Sequence, residues 1–337
     1  MAQSRDEELR RTRRKRLIRG LLMGGAAVGV PALANTLVSR HAANLPDATW
    51  GSGDRFLWRH GDIAYQRLGE GLPVVLVHSF GAGHSSAEWR HAAEVLTRSF
   101  EIFAPDLLGW GQSSRVGQRL VLNDEVYVSM LRDFLEQVVG RPAVLIAAGL
   151  PAAYAVQLAV DRPDRVRALG LVAPQGLELY GDEPDFKDAV MHKLLDLPIL
   201  GTSALNLFTS RTALAGYLRR EVYASPDLVD DGVIDLHYMN SHRPGAHRAL
   251  ASYLAGYLNH GIREVLARIE APCWLAWGRR AVSPPVEAAD LWLLRLPSSP
   301  PAELEIFEQA GVLPHAESPE EFGRKLETWL LDLGLNT

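Results

Sequence analysis

The chain has 337 residues, 47% hydrophobic and 22% charged, which suits one large globular domain with an insertion or two small domains. Its net charge of −5 is uneven: residues 1–20 carry eight Lys/Arg against three acids, leaving −10 on the remainder. A mildly acidic body argues against nucleic-acid binding, and a single cysteine, Cys273, excludes an intrachain disulfide.

Residues 1–38 read as a targeting or anchoring segment. Positions 10–19 are strongly basic, and 21–38 form an uncharged apolar stretch rich in Gly and Ala. At 18 residues it is close to the roughly 20 needed to span a bilayer. Residues 21–34 also fit the apolar part of a secretory signal, with Ala32-Leu33-Ala34 as a cleavage motif and Arg13-Arg14 as a weak twin-arginine feature. An amphipathic surface helix is the third reading. The expectation is an uncleaved membrane anchor with the body on the non-cytoplasmic side; the alternative is a secreted or periplasmic body after cleavage.

A polar linker follows over 39–53. Segments 56–59 and 63–67 predict an opening hairpin around His60-Gly61-Asp62, and 74–77 a buried strand. The loop 79–86 should line a pocket. A helix is predicted over 87–97, a strand over 101–104, and a helix over 123–140 capped by Asn123. Residues 143–174 read as strand, sharp turn, helix and strand, with Gly149 and Pro151 at the turn. The stretch 176–268 departs from strand–helix alternation and is mostly helical. Its segments 194–200, 205–208, 214–218 and 253–258 offer apolar faces for a pocket roof. Residues 273–277 predict a strand holding Cys273 as a structural thiol, 284–296 a proline-led helix, and 304–307 the last strand. Ser318-Pro319-Glu320-Glu321 has the pattern of a capping box opening the last helix.

From residue 54 onward the chain resembles the α/β-hydrolase superfamily, in its capped, esterase- and haloperoxidase-like branch. Four stretches carry the likeness in family order: PVVLVHSFGAG from Pro73, FAPDLLGWGQS from Phe103, the strand–turn–helix of 143–174, and GVLPHAESPEEF from Gly311. The resemblance implies a mostly parallel sheet flanked by helices. The hydrolase core would occupy 54–175 and 269–337, with a helical cap over 176–268. It also places the nucleophile elbow at Ala147-Ala148-Gly149-Leu150-Pro151. The three triad positions then fall on Gly149, Ala281 and Val312, none of which can supply a nucleophile, acid or base. Glycine adopts the elbow's left-handed backbone at little steric cost.

Other residues could carry chemistry. Ser79 stands where the family's oxyanion loop usually has glycine. It could pair with His78 or His84, or hydrogen-bond within its loop. His315 lies three residues beyond the lost histidine position and could act as a base or be structural. Asp182 or Glu183 could replace the acid. Asp106 matches a position that the family uses structurally, and Ser203 lacks an elbow context. The pocket and oxyanion elements are His78, Ser79, Phe80, Gly81 and Leu150, with backbone N–H donors expected from Phe80 and Leu150. No phosphate-binding glycine pattern or metal-like spacing is evident, so no cofactor or metal is expected. The leading expectation is a membrane-associated pseudoenzyme that binds a small apolar or carbonyl ligand or a protein partner. The alternative is an active serine-type hydrolase of small or lipid-like esters using relocated residues such as Ser79 and His315.

Overall fold

The computed structural model describes residues 28–45, 50–117, 119–177, 180–299 and 302–335. Eight strands form one sheet: β1 (Asp54–Trp58), β2 (Gly61–Leu68), β3 (Leu72–Val77), β4 (Phe100–Pro105), β5 (Ala143–Ala148), β6 (Val166–Val172), β7 (Cys273–Gly278) and β8 (Glu303–Phe307). Their order is β1-β2-β4-β3-β5-β6-β7-β8. β1 and β2 pair antiparallel, as do β2 and β4. Every other pairing is parallel. β3, β4, β5 and β7 are buried at every position. Helices cover both faces of such a sheet, so its strands read as continuous apolar runs rather than alternating ones.

Successive side chains leave a strand on opposite faces, and β3 feeds two cores accordingly. Val75 and Val77 face the core that includes Tyr127 and Phe134 of α3 (Asp124–Phe134) and Tyr154 of α4 (Pro151–Asp161). Val74 and Leu76 face the core that includes Leu96 of α2 (Arg90–Leu96), and Phe322 and Trp329 of the last helix (Pro319–Asp332). Asn123 caps α3 as expected, its side chain accepting from the Val126 N–H at 3.1 Å. Cys273 is buried, and burial pushes its thiol up to about 12.

Between β6 and β7 the chain leaves the sheet and builds a helical cap. It comprises α5 (Phe186–Leu195), α6 (Leu200–Phe208), α7 (Arg211–Tyr217), α8 (Asp231–His242) and α9 (His247–Leu254). The apolar segments 194–200 and 205–208 do not roof the pocket as expected. Leu200, Leu207 and Phe208 are 60%, 77% and 67% exposed. Two features of the C-terminal part also differ from expectation. The helix predicted over 284–296 begins only at Ala288; Pro284 lies in the preceding turn, where its carbonyl accepts the Trp277 indole N–H at 3.0 Å. Ser318 makes no side-chain cap bond to the last helix, so only the proline at the first helical position survives from the capping-box pattern.

The membrane-anchor expectation is corrected. Among the described residues no helix is long and apolar enough to cross a membrane. Part of the expected anchor, 21–27, lies outside the described residues, as do the basic stretch and Arg13-Arg14. The described part belongs to α1, helical over 28–43, which packs on the cap. Asn35 Nδ2 donates to Ile199 O at 3.1 Å, and Asn35 Oδ1 accepts from Ser203 Oγ at 3.1 Å and Asn206 Nδ2 at 3.0 Å. Ala42 is buried in a small cluster with Leu214 and Tyr238. A helix with a hydrogen-bonded asparagine and a face seated on protein is built for docking, not for contact with lipid all round. Asn35→Ala should therefore cost about 1 kcal/mol. Amide exchange over 28–43 should quicken while the sheet's exchange stays unchanged.

Candidate functional site

β5 ends at Ala148, and the chain turns through Gly149 into α4. Gly149 has φ +63°, the left-handed region expected at the elbow. Its N–H donates to Val172 O at 2.9 Å and its carbonyl accepts from Gln175 N at 3.2 Å, so both neighbouring segments hold the turn. A Cβ at Gly149 would lie 3.3 Å from Ser79 Cβ. The two positions are thus complementary: a side chain stands at 79 where one is missing at 149.

A cavity of about 220 Å³ opens above this turn. Ser79, Phe80, His84 and Gly149 line it from the core, and Tyr180, Tyr217 and Tyr253 from the cap side. Segments 214–218 and 253–258 therefore contribute to the roof as expected, through tyrosines. Phe80 sits in an aromatic cluster, 5.1 Å from the ring centroids of Trp110 and Tyr127 and 6.0 Å from Tyr154 and Tyr253. Burial raises the Tyr217 and Tyr253 hydroxyls above their ordinary value of 10, so both stay protonated. Among the described residues neither the Phe80 N–H nor the Leu150 N–H has a hydrogen-bond acceptor. These are the two donors expected beside the elbow.

Beside the cavity lies a buried cluster that only tertiary structure assembles. Ser79 Oγ is 2.8 Å from His84 Nδ1 and 3.1 Å from Glu88 Oε2, and His84 Nδ1 is 2.9 Å from the same Oε2. Glu88 Oε1 accepts the Ser79 backbone N–H at 2.8 Å. His315, completely buried and stacked on Trp89 at 3.7 Å, places Nε2 3.4 Å from Glu88 Oε1, and neither of its ring nitrogens has hydrogen-bond geometry to a partner. Burial alone would push the Glu88 carboxyl up. The imidazoles of His315 and His84 outweigh that and hold it far below its ordinary 4.5, so it is ionised. Burial lowers His315 from its ordinary 6.5 and keeps it neutral.

An ionised carboxylate only accepts hydrogen bonds, and this assigns the protons. His84 Nδ1–H and Ser79 Oγ–H both donate to Glu88 Oε2. His84 Nε2 stands 3.4 Å from the Tyr217 hydroxyl. In a serine triad the serine and the acid use opposite ring nitrogens of the histidine. Here both meet the same nitrogen.

The remaining sequence candidates fall as follows. Ser79 and His315, expected as members of a relocated set, are not bonded to each other: Glu88 lies between them, and of the two histidines expected to pair with Ser79 it is His84 that its hydroxyl meets. His78 does not line the cavity. Its Nε2 accepts the Leu107 N–H at 3.0 Å, so Nδ1 carries the proton and donates to Ser79 O at 2.7 Å, tying two loops together behind the site. Gly81 closes against His84: a Cβ there would come within 2.6 Å of its ring. Val312 lines the cavity, and its N–H donates to Val222 O at 3.1 Å in the cap. Ala281 is buried and does not line the cavity, whereas Ser283 does. Asp182 and Glu183 are exposed and outside the cavity lining, so they replace no acid. Asp106 is structural, accepting Ser86 N and Gln112 N at 2.7 Å each. Ser203 bonds Asn35, far from this cluster in role. The residue that sequence reasoning missed is Glu88. Its signal was the four-residue spacing from His84 across the turn capped by Ser85.

A family model described as "Alpha/beta hydrolase family" matches residues 74–324. Mycobacterium tuberculosis protein Rv2715, described as uncharacterized, is 27% identical over 274 residues, covering 77% of this chain and 75% of its own. The pimeloyl-[acyl-carrier protein] methyl ester esterase of Aliivibrio fischeri is 25% identical over 269 residues, covering 80% and 97%. Among solved structures, a serine hydrolase involved in carbazole degradation superposes with a TM-score of 0.67 at 20% identity, covering 82% of this chain and 97% of that one. These relatives thus include an esterase and an uncharacterized protein, and the solved serine hydrolase shares the fold. The chain belongs to the alpha/beta hydrolase family.

Proposed function

We propose that this protein binds a small carbonyl- or carboxylate-bearing ligand in the elbow cavity and does not carry out serine-type acyl transfer. The observation that carries this reading is the pair of acceptor-less N–H groups at Phe80, which lines the cavity, and at Leu150, which follows Gly149 at the turn. Such donors stabilise an oxyanion in an active hydrolase. Without a nucleophile they still offer a ligand oxygen two hydrogen bonds. Gly149, Ala281 and Val312 bring no titratable group. The Ser79 proton is directed to a carboxylate held far below its ordinary pKa, which is a poor base. Exposed apolar residues of α5 and α6, including Phe186 and Phe208, are consistent with a protein partner as well.

A second reading has one observation in its favour. Ser79 lines the cavity with its Oγ 2.8 Å from an imidazole nitrogen, so a relocated serine hydrolase is its natural competitor. A fluorophosphonate probe separates the two, since it labels activated serines covalently. The expected result is no labelling of Ser79 by mass spectrometry and no turnover of short and medium acyl esters above background. Labelling at Ser79, or turnover lost in Ser79→Ala, would overturn the binding reading.

A further inference from the structure

The elbow cavity has a sign as well as a shape. Among the described residues its lining contains no Lys or Arg, and its one carboxylate is Glu221. Glu221 belongs to the helical turn Leu218–Val222 that follows α7. It lines the cavity and is exposed, which places it at the mouth. Among the described residues no Lys or Arg forms an ion pair with it. Arg219 of the same turn donates to Val229 O at 3.0 Å, and neither it nor Arg220 lines the cavity.

A second carboxylate backs the inner wall. The ionised Glu88 lies 3.1 Å from Ser79 Oγ and 2.9 Å from His84 Nδ1, and both of those residues line the cavity. His84 is the one basic side chain of the described lining, and a proton gained there would be matched by Glu88. The reach of both carboxylates shows at Tyr217: burial raises its hydroxyl most, and the charges of Glu88 and Glu221 raise it further. Much of the remaining wall is aromatic. Tyr180 and Tyr253 stack at 5.9 Å, and Phe80 lies 6.0 Å from Tyr253. Ring faces carry negative charge density and attract cations. A carboxylate entering here would give up its hydration with no cation to receive it. A neutral carbonyl oxygen meets the Phe80 and Leu150 N–H groups without that cost.

We propose that the elbow cavity selects its ligand by charge, with Glu221 as the residue that sets the preference. It takes an uncharged carbonyl, such as an amide, ester or ketone, on the Phe80 and Leu150 N–H groups. It favours an ammonium substituent at the mouth and rejects carboxylates. The inference rests on the elbow reading and narrows its two ligand classes to one.

The test is calorimetric titration of the full chain with three amides of similar size and different charge: 4-(aminomethyl)benzamide, 4-ethylbenzamide and 4-carbamoylbenzoate. The cation should bind tightest and the anion weakest, with about fivefold to twentyfold between them at low ionic strength. Raising the salt to about 0.5 M should narrow that gap. Glu221→Gln should close most of it, and Glu221→Lys should reverse the order so that 4-carbamoylbenzoate binds best. Glu221 is exposed and outside any ion pair among the described residues, so both variants should fold. Equal affinities or a preference for the anion in the unmodified chain would overturn the charge assignment and leave the elbow reading standing. An order unchanged in both variants would do the same. Absence of saturable binding by all three probes would overturn the elbow reading and this inference together.

Discussion

Replacing Glu88 by alanine should destabilise the protein by about 3 kcal/mol, the order expected when three hydrogen-bond donors lose the charged group that accepts them. The carboxylate accepts the Ser79 N–H, the Ser79 hydroxyl and the His84 Nδ1–H. Urea denaturation should show a lower midpoint with an unchanged slope, the sign of a stability change without a new denatured state. The pH dependence follows from the direction of the shifts. Glu88 has a folded pKa below its ordinary 4.5, so its contribution is complete above about pH 4.5 and is lost as the pH falls further. His315 and His237 are lowered from 6.5, His237 to about 4. Below pH 6.5 the unfolded chain therefore binds protons first, and stability falls on acidification through that window too. Glu88→Ala should flatten the limb below pH 4.5 and keep the fall that starts near 6.5. A variant as stable as the original chain, or one with the same acid limb, would refute the account of the cluster.

Gly278→Ala should cost about 3 kcal/mol or more, the upper end for overpacking a site that cannot yield. Gly278 is the last residue of β7, in register with Phe307 of β8. A Cβ there would lie 1.9 Å from Gly311 O and 2.3 Å from Ala310 O. Both are backbone atoms of the loop that carries Val312, and that loop is itself pinned. Glu317 accepts the Gly311 N–H at 2.6 Å and the cap's Ala224 N–H at 2.8 Å. The loop would have to move as a unit, taking the cavity wall with it. Gly117→Ala is the control, since a Cβ there meets nothing within 4 Å and the change should stay within about 0.5 kcal/mol. Thermal melts of the two variants decide the matter: equal midpoints would mean that the approach of the two loops is not as tight as the structure has it.

The two predictions differ in how far the sequence alone could have supported them. Gly278 ends an apolar strand that is recognisable locally, while the close approach that restricts it to glycine belongs to the fold. Gly149 is legible at its turn because its left-handed backbone favours glycine, and the apolar runs of β3, β5 and β7 because burial on both faces leaves a continuous hydrophobic signature. The mostly parallel sheet and the sharp turn after β5 were legible for this reason. Glu88 was not, because its role depends on Ser79, His84 and His315 converging from two loops far apart in sequence, and no local periodicity records a distance between loops. The same limit applies to the N-terminal apolar stretch. Composition between 21 and 38 suits lipid and protein alike, and only the docking of Asn35 and Ala42 on the cap distinguishes them for the described residues. The sequence by itself determined the sheet, the turn at Gly149 and the absence of titratable groups at Gly149, Ala281 and Val312, since each is a property of a residue and its near neighbours. Tertiary structure alone decided that Ser79 donates its proton to Glu88 and that Glu88 stands between Ser79 and His315, because each depends on which groups the folded chain brings close together.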